Sequence, residues 1–138
     1  MDITLYDRDG NPIAYISDDY DSNIYLFEGE AVAYLFNERE VYGINGRHLG
    51  WFIDEVLYDS NGLRIGFTHN TCPKSGAKEP IKSKRKPIYE KRPKWKPPPM
   101  PKFSYAISSV PLKEFLLQGK IERIVEEERE KEEEEESE

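Results

Sequence analysis

One short pattern is written four times in the first 70 residues: aliphatic-Tyr-x-x-x-Gly-x-x-aliphatic-small-aromatic. The glycines are Gly10, Gly29, Gly46 and Gly62, and each stands four residues after a tyrosine: Tyr6, Tyr25, Tyr42 and Tyr58. Leu5, Ile24, Val41 and Leu57 precede the tyrosines. After the glycines come Ile13, Val32, Leu49 and Ile65, then Ala14, Ala33, Gly50 and Gly66, then Tyr15, Tyr34, Trp51 and Phe67. The glycines lie 19, 17 and 16 residues apart, enough chain for one β-hairpin per copy. The turn dipeptides are Asp9-Gly10, Glu28-Gly29, Asn45-Gly46 and Asn61-Gly62. Glycine there accepts a positive φ, and the flanks are rich in β-branched and aromatic residues. Pro12 follows the first turn, a place where an edge or a strand start accepts proline.

The pattern therefore predicts an all-β fold of four hairpins, about eight short strands. Strict alternation places the small residue on the strand face opposite its aliphatic and aromatic neighbours, where a minimal side chain permits close approach. The tyrosine ladder is expected to pack between hairpins, with hydroxyls at the rim.

The charge divides by segment. Residues 1–70 carry a net −9, residues 71–102 a net +9, and residues 119–138 a net −7. Eight of the ten prolines also fall in residues 71–102. Proline favours extended backbone, and like charges with few apolar residues oppose independent folding. The expected organisation is a four-hairpin domain over residues 1–70 and a basic, proline-rich linker over 71–102. An apolar segment with a short docking helix follows over 103–119, then an acidic helical or disordered tail over 120–138. Ser109, Pro111 and Gly119 bracket a helix at about 110–118, with Leu112, Phe115 and Leu116 on one face. That face is expected to cover an apolar surface of the hairpin domain, because a 70-residue core is marginal unaided. Ile121, Ile124 and Val125 mark one face of a possible charged continuation.

The hairpins resemble the bacterial four-fold β-flower domain. The likeness rests on the four Tyr-led glycine turns. It is strongest over Tyr42-Gly43-Ile44-Asn45-Gly46-Arg47-His48-Leu49-Gly50-Trp51 and Gly62-Leu63-Arg64-Ile65-Gly66-Phe67. The resemblance implies four hairpins arranged as petals around a pseudo-four-fold axis. It implies no reaction and carries over no catalytic residue. The YD repeat is also similar at Tyr6-Asp7 and Tyr58-Asp59, but Tyr25-Leu26 and Tyr42-Gly43 depart from it.

Little chemistry is written in the chain. There are two histidines, His48 and His69, and one cysteine, Cys72. His69-Asn70-Thr71-Cys72 lacks the further ligands that structural zinc needs. Asp19, Asp21, Asn23 and Glu30 mimic an EF-hand spacing, but Ile24 replaces the sharp-turn glycine, and a solvated acidic loop is expected. His48 is expected at an exposed strand position. No nucleophile elbow, P-loop or H-E-x-x-H motif occurs. No catalytic residue, metal ligand or cofactor site is assigned.

The expected function is a non-enzymatic interaction or accessory module. Its partner is a protein, reached through the arm, the inter-hairpin loops or self-association. Lys84, Arg85, Lys86, Tyr89, Arg92 and Trp95 are the candidate contact residues, cations interleaved with aromatics. Nucleic-acid binding through residues 82–96 and a small carboxylate-dependent enzyme are the alternatives. Intramolecular screening of the acidic segments is a further role for the basic one. No apolar run is long enough for a membrane span, and a single cysteine suits a reducing, cytoplasmic setting.

Overall fold

Each repeat bends through a three-residue loop that ends on its glycine. The glycine amide donates to the carbonyl three residues back: Asp7 at 3.1 Å, Leu26 at 2.9 Å, Gly43 at 2.9 Å and Asp59 at 3.0 Å. The glycine φ values are +84°, +101°, +92° and +81°, the left-handed conformation that ends this kind of hairpin loop. Side chains reinforce three of the bends. In the Gly46 loop Asn45 Oδ1 accepts from the Arg47 amide at 3.0 Å. Asp7 Oδ1 accepts from the amides of Asp9 and Asn11, and Asp59 Oδ1 from those of Asn61 and Leu63.

A computed structural model describes residues 1–88 and 90–121. The strands are β1 (Ile3–Tyr6), β2 (Pro12–Ile16), β3 (Asn23–Leu26), β4 (Ala31–Phe36), β5 (Glu40–Gly43), β6 (His48–Ile53), β7 (Val56–Asp59) and β8 (Arg64–Phe67). Each strand pairs antiparallel with the next, and β1 pairs with β8 through Tyr6 and Phe67, closing an eight-stranded barrel. The all-β, four-hairpin fold is thus as the repeat predicted. The hairpins also zip to one another edge by edge. Two of the junctions are tight, with Asn37 and Glu38 at φ +53° and +61°, and Asp54 and Glu55 at +50° and +62°.

One expectation fails. The small residue does not face away from the aliphatic residue before it. Every hairpin has a register shift beside its tyrosine: Leu5 pairs with Ala14 but Tyr6 with Pro12, and the same step recurs in the other three. Ile13, Val32, Leu49 and Ile65 are the extra residues. A bulge interrupts the alternation of faces, so the aliphatic residue and the small one after it both serve the interior. Val32, Leu49 and Ile65 join Leu5, Ala14, Ile24, Ala33, Val41 and Leu57 in one buried cluster, with Ile13 packed against it. An eight-stranded barrel is just wide enough for side chains to fill it.

Helix α1 (Leu112–Leu117) completes that cluster with Leu112, Phe115 and Leu116. It is shorter than the expected 110–118. Pro111 is its N-cap, in extended backbone at ψ 143°, so Val110 and Pro111 stay outside the helix. The approach is fixed by β8: Arg64 donates to Ala106 at 2.9 Å, and Ser108 donates to Arg64 at 2.8 Å. Gly66 leaves room for the helix, since a Cβ there would lie 3.1 Å from Leu112 Cδ1. A six-residue helix has little stability of its own, so burial of its apolar face holds it. Gly119 follows it with no left-handed turn; its backbone packs against Gly43 and the Val32 carbonyl.

Among the described residues no helix is long and apolar enough to cross a membrane. The helical tail, with Ile124 and Val125, falls in residues 122–138, outside the described residues.

If α1 fills the barrel, Leu116→Ala will cost about 2–5 kcal/mol, whereas Leu117→Ala, on the outward face, will change stability by roughly 0.5 kcal/mol or less. Urea unfolding of the two variants distinguishes them, and equal losses would place the helix outside the core.

Candidate functional site

The barrel turns its aromatic residues outward in pairs. The last aromatic of each repeat stands opposite the leading tyrosine of the next: Tyr15 with Tyr25, Tyr34 with Tyr42, Trp51 with Tyr58, and Phe67 with Tyr6. Tyr15 and Tyr25 stack at 5.8 Å between centroids, and Tyr34 and Tyr42 at 6.1 Å. Such a girdle, left in water, would be a large exposed apolar surface.

Residues 74–88 and 90–104 lie across it. They form no helix or strand and run extended from hairpin to hairpin, and we call them the arm. The segment expected to act as a linker is thus extended, and it is also tied to the barrel at regular intervals. Ala77, Lys86, Trp95 and Ser104 donate their amides to the carbonyls of Gly10, Gly29, Gly46 and Gly62, at 2.8, 2.8, 2.8 and 2.9 Å. The donors are nine residues apart, so one stride of arm spans one repeat. Two residues before each donor, the carbonyls of Ser75, Lys84, Pro93 and Lys102 rest on the same four glycines, where a Cβ would collide with them. The turn glycine therefore answers two demands: positive φ and close approach of a second backbone. Ser83 and Arg92 add bonds to Phe27 and Ile44 at 2.8 and 2.9 Å.

The residue just before each donor meets a ring. Gly76 lies on Tyr6, where a Cβ would be 2.6 Å from Cε1. The Arg85 guanidinium is 4.9 Å from the Tyr25 centroid, and Lys94 Nζ is 4.5 Å from that of Phe36. Phe103 packs on Tyr58 at 4.6 Å and Trp51 at 5.8 Å. Lys82 and Lys91, again nine apart, sit over Tyr15 and Tyr34 at 4.6 and 4.1 Å. Such cation–ring contacts contribute about 0.5–2 kcal/mol, more where the ring is desolvated, and the Tyr15, Tyr25 and Tyr34 rings are buried. Ion pairs join the same contacts: Lys82 and Arg85 to Asp2 at 3.0 and 3.4 Å, Lys91 to Asp21 at 3.6 Å, and Lys74 to Asp9 at 3.4 Å. Burial opposes the Asp2 carboxylate, but hydrogen bonds from Lys82 and the Asp18 amide, with the charge of Arg85, outweigh it. The net effect holds the carboxyl below its usual range.

The candidate contact residues separate into inward and outward groups. Arg85 turns inward, donating to the Tyr15 hydroxyl at 3.2 Å and to Asp2. Lys84, Lys86 and Trp95 bind through their backbone and are exposed, Trp95 to 58%. Arg92 borders a groove between the arm and the β3–β4 hairpin, and Tyr89 is outside the described residues. The groove encloses about 560 Å³ over Tyr34, Leu35 and Phe36, with Lys91–Lys94 as one wall and Tyr20 at the rim. The contacts of Lys82, Lys91 and Asp2 were not legible as a site; the nine-residue interval between the two lysines was the available signal.

Asp19 accepts from the Asn23 amide and side chain, and Glu30 pairs with Lys120 at 3.3 Å. Cys72 is half-buried with its thiol directed to the Asp7 carbonyl at 3.4 Å, and His69 is exposed. His48 is not at the exposed position expected of it: its side chain is 2% exposed. It stands opposite Tyr42, 5.0 Å from that ring and 4.8 Å from Trp51, because the bulge at Leu49 keeps it on the aromatic face. Nε2 lies 3.3 Å from Glu40 Oε1, and Nδ1 has no partner among the described residues. Burial lowers its pKa below the ordinary histidine value, with Glu40 opposing.

The unfolded chain therefore binds a proton at His48 more readily than the folded one. Stability will fall as pH drops through the unfolded value of about 6.5 and on toward the lower folded one. Urea midpoints measured from pH 7.5 to 5 will fall more steeply for the wild type than for His48→Phe; parallel slopes would show that His48 titrates as it does in water.

The model of one protein family, described as 4-fold beta flower protein, matches residues 3–116, which takes in all eight strands, the arm and most of α1. No curated protein and no solved structure matches the chain. The aromatic girdle, the four glycine turns and the arm that joins them lie within the matched span, and the chain belongs to the 4-fold beta flower protein family.

Proposed function

We propose that this chain is a non-enzymatic interaction module that binds a partner protein on the outward face of its arm. The observation that carries this reading is Trp95, an indole 58% exposed on a backbone anchored to the Gly46 carbonyl. Lys84, Lys86 and Lys96 are also exposed and make no ion pair with the described residues. An aromatic anchor held rigidly among cations is the kind of group that dominates protein interfaces. The arm is long and irregular, yet its bonds to the turns fix where each outward side chain points. Such a loop on a rigid scaffold is where recognition concentrates.

The carboxylates support a binding role over acid–base chemistry. Asp59, the buried one among the described residues, is engaged by two turn amides. Burial raises the pKa of Asp19, but hydrogen bonds from Ser17 and Asn23 and the charge of Arg85 bring it below the ordinary value, as with Asp2. Neither is poised to carry a proton near neutral pH. The single thiol, Cys72, fits a cytoplasmic setting.

Affinity capture with the whole chain tests the reading, comparing wild type with Lys84→Glu, Lys86→Glu and Trp95→Ala combined, after circular dichroism shows both folded alike. Loss of defined protein partners by the variant is expected. An unchanged set would overturn the assignment to the arm, and a set lost on nuclease treatment of the wild type would favour nucleic acid instead.

A further inference from the structure

The segment after α1 is clamped beside the arm. Asn45, in the third glycine turn, donates its amide to the Gly119 carbonyl at 3.1 Å and its side chain to the Gln118 carbonyl at 2.8 Å. Lys120 pairs with Glu30, the residue after the second turn glycine, at 3.3 Å. Ile121 packs, as Ile88 of the arm does, on the outward cluster that holds Tyr15, Tyr25, Tyr34 and Tyr42. The chain therefore leaves the barrel between the turns of Gly29 and Gly46, where Lys86 and Trp95 are anchored.

On both sides of that exit the arm carries unmatched charge. Lys84 and Lys86 sit at the Gly29 anchor, and Lys96 follows the Gly46 anchor. All three are exposed and make no ion pair with the described residues. Arg85 and Lys91 are engaged by Asp2 and Asp21, Lys94 lies over Phe36, and Arg92 has a partner of its own, so the outward charge rests with the three lysines. Glu90 is the single carboxylate of residues 84–96. Beyond the exit, residues 122–138 hold eleven glutamates against Arg123, Arg129 and Lys131, a net −8.

The geometry points to this acidic tail, residues 122–138, as the occupant of the arm's outward face, its glutamates paired with Lys84, Lys86 and Lys96. Opposite charge makes the pairing favourable, and the clamp at Gly119 and Lys120 makes it intramolecular. The 17 residues of the tail reach at most about 60 Å, and the stretch from Lys84 to Lys96 measures about 40 Å at full extension, so the tail can span it. A tether this short keeps glutamates near the lysines at roughly millimolar effective concentration. One exposed pair is weak and screened by salt, so occupancy depends on several pairs acting together. This inference rests on the reading of that face as the binding surface and names what a partner protein must displace from it.

The test is zero-length carbodiimide cross-linking of the full chain at 50 mM salt, read by mass spectrometry on a mixture of unlabelled and nitrogen-15-labelled protein. Links from tail glutamates to Lys84, Lys86 and Lys96 within one copy are expected at least fivefold above links to Lys78 and Lys102, the exposed lysines at the first and fourth turns. Lys84→Gln with Lys86→Gln is expected to reduce the Lys96 links at least threefold, and 500 mM salt to reduce all of them. Links spread evenly along the arm, links chiefly between labelled and unlabelled copies, or Lys96 links indifferent to the double variant or to salt would overturn the proposal. A fluorescein-labelled hexaglutamate peptide, followed by anisotropy, is expected to bind the full-length variant with Glu→Gln at positions 132 to 136 at least fivefold more tightly than the wild type; equal affinity would overturn it as well. If the cross-links are absent while the arm variants lose their captured partners, the tail fails as occupant and the module reading stands. If the cross-links form as expected while the arm variants capture normally, the converse holds.

Discussion

The amide of an extended chain donating to the carbonyl of a turn glycine is the contact on which this architecture depends. It is made four times, nine residues apart, and sets the register of everything else the arm touches. A hydrogen bond of this kind contributes only about 0.5–1.5 kcal/mol net. Its larger effect is positional. Once Lys86 is bound at Gly29, Arg85 must face Tyr25 and Lys82 must face Tyr15. Shifting the arm by one residue would present an opposite set of side chains to the rings and move charges away from Asp2 and Asp21.

Two surfaces of one barrel then follow from one repeat. The bulge after each turn gives the interior both an aliphatic and a small residue, and the small one makes room, as Gly66 does for Leu112. The same bulge returns the following aromatic to the outside, where it pairs with the next repeat's tyrosine. The interior is closed by α1 and the exterior by the arm. The segments on either side of residue 103 thus complete opposite faces of the same sheet. That division explains how so short a hairpin domain holds together with no disulfide: the sequence that follows it supplies much of the apolar contact it needs.

The repeat made the hairpins, their turns and the helix face legible, because glycine, tyrosine and apolar spacing are local signals. Leu112, Phe115 and Leu116 point inward as their spacing implied. The bulges were not legible, since an extra residue breaks the period-two rule without leaving a compositional mark. His48 shows the consequence: its place in the aromatic face follows from pairing with Tyr42 across a shifted register. The arm was misjudged in part because its anchors are backbone groups, which side-chain composition does not report. One trace was there. The arm's prolines fall at 73, 80, 87, 93, 97, 98, 99 and 101, never at the donor positions 77, 83, 86, 92, 95 or 104. A charge count treated the arm as a uniform cation; the structure separates Lys82, Arg85 and Lys91, which bind the barrel, from Lys84, Lys86 and Lys96, which face outward.

The belt can be measured directly by amide hydrogen exchange resolved residue by residue along the arm. Slow exchange is expected at Ala77, Lys86, Trp95 and Ser104, with Ser83 and Arg92 also protected and Lys84, Lys94 and Lys96 exchanging fast between them. Uniformly fast exchange from residue 74 to residue 104, with no nine-residue rhythm, would contradict it.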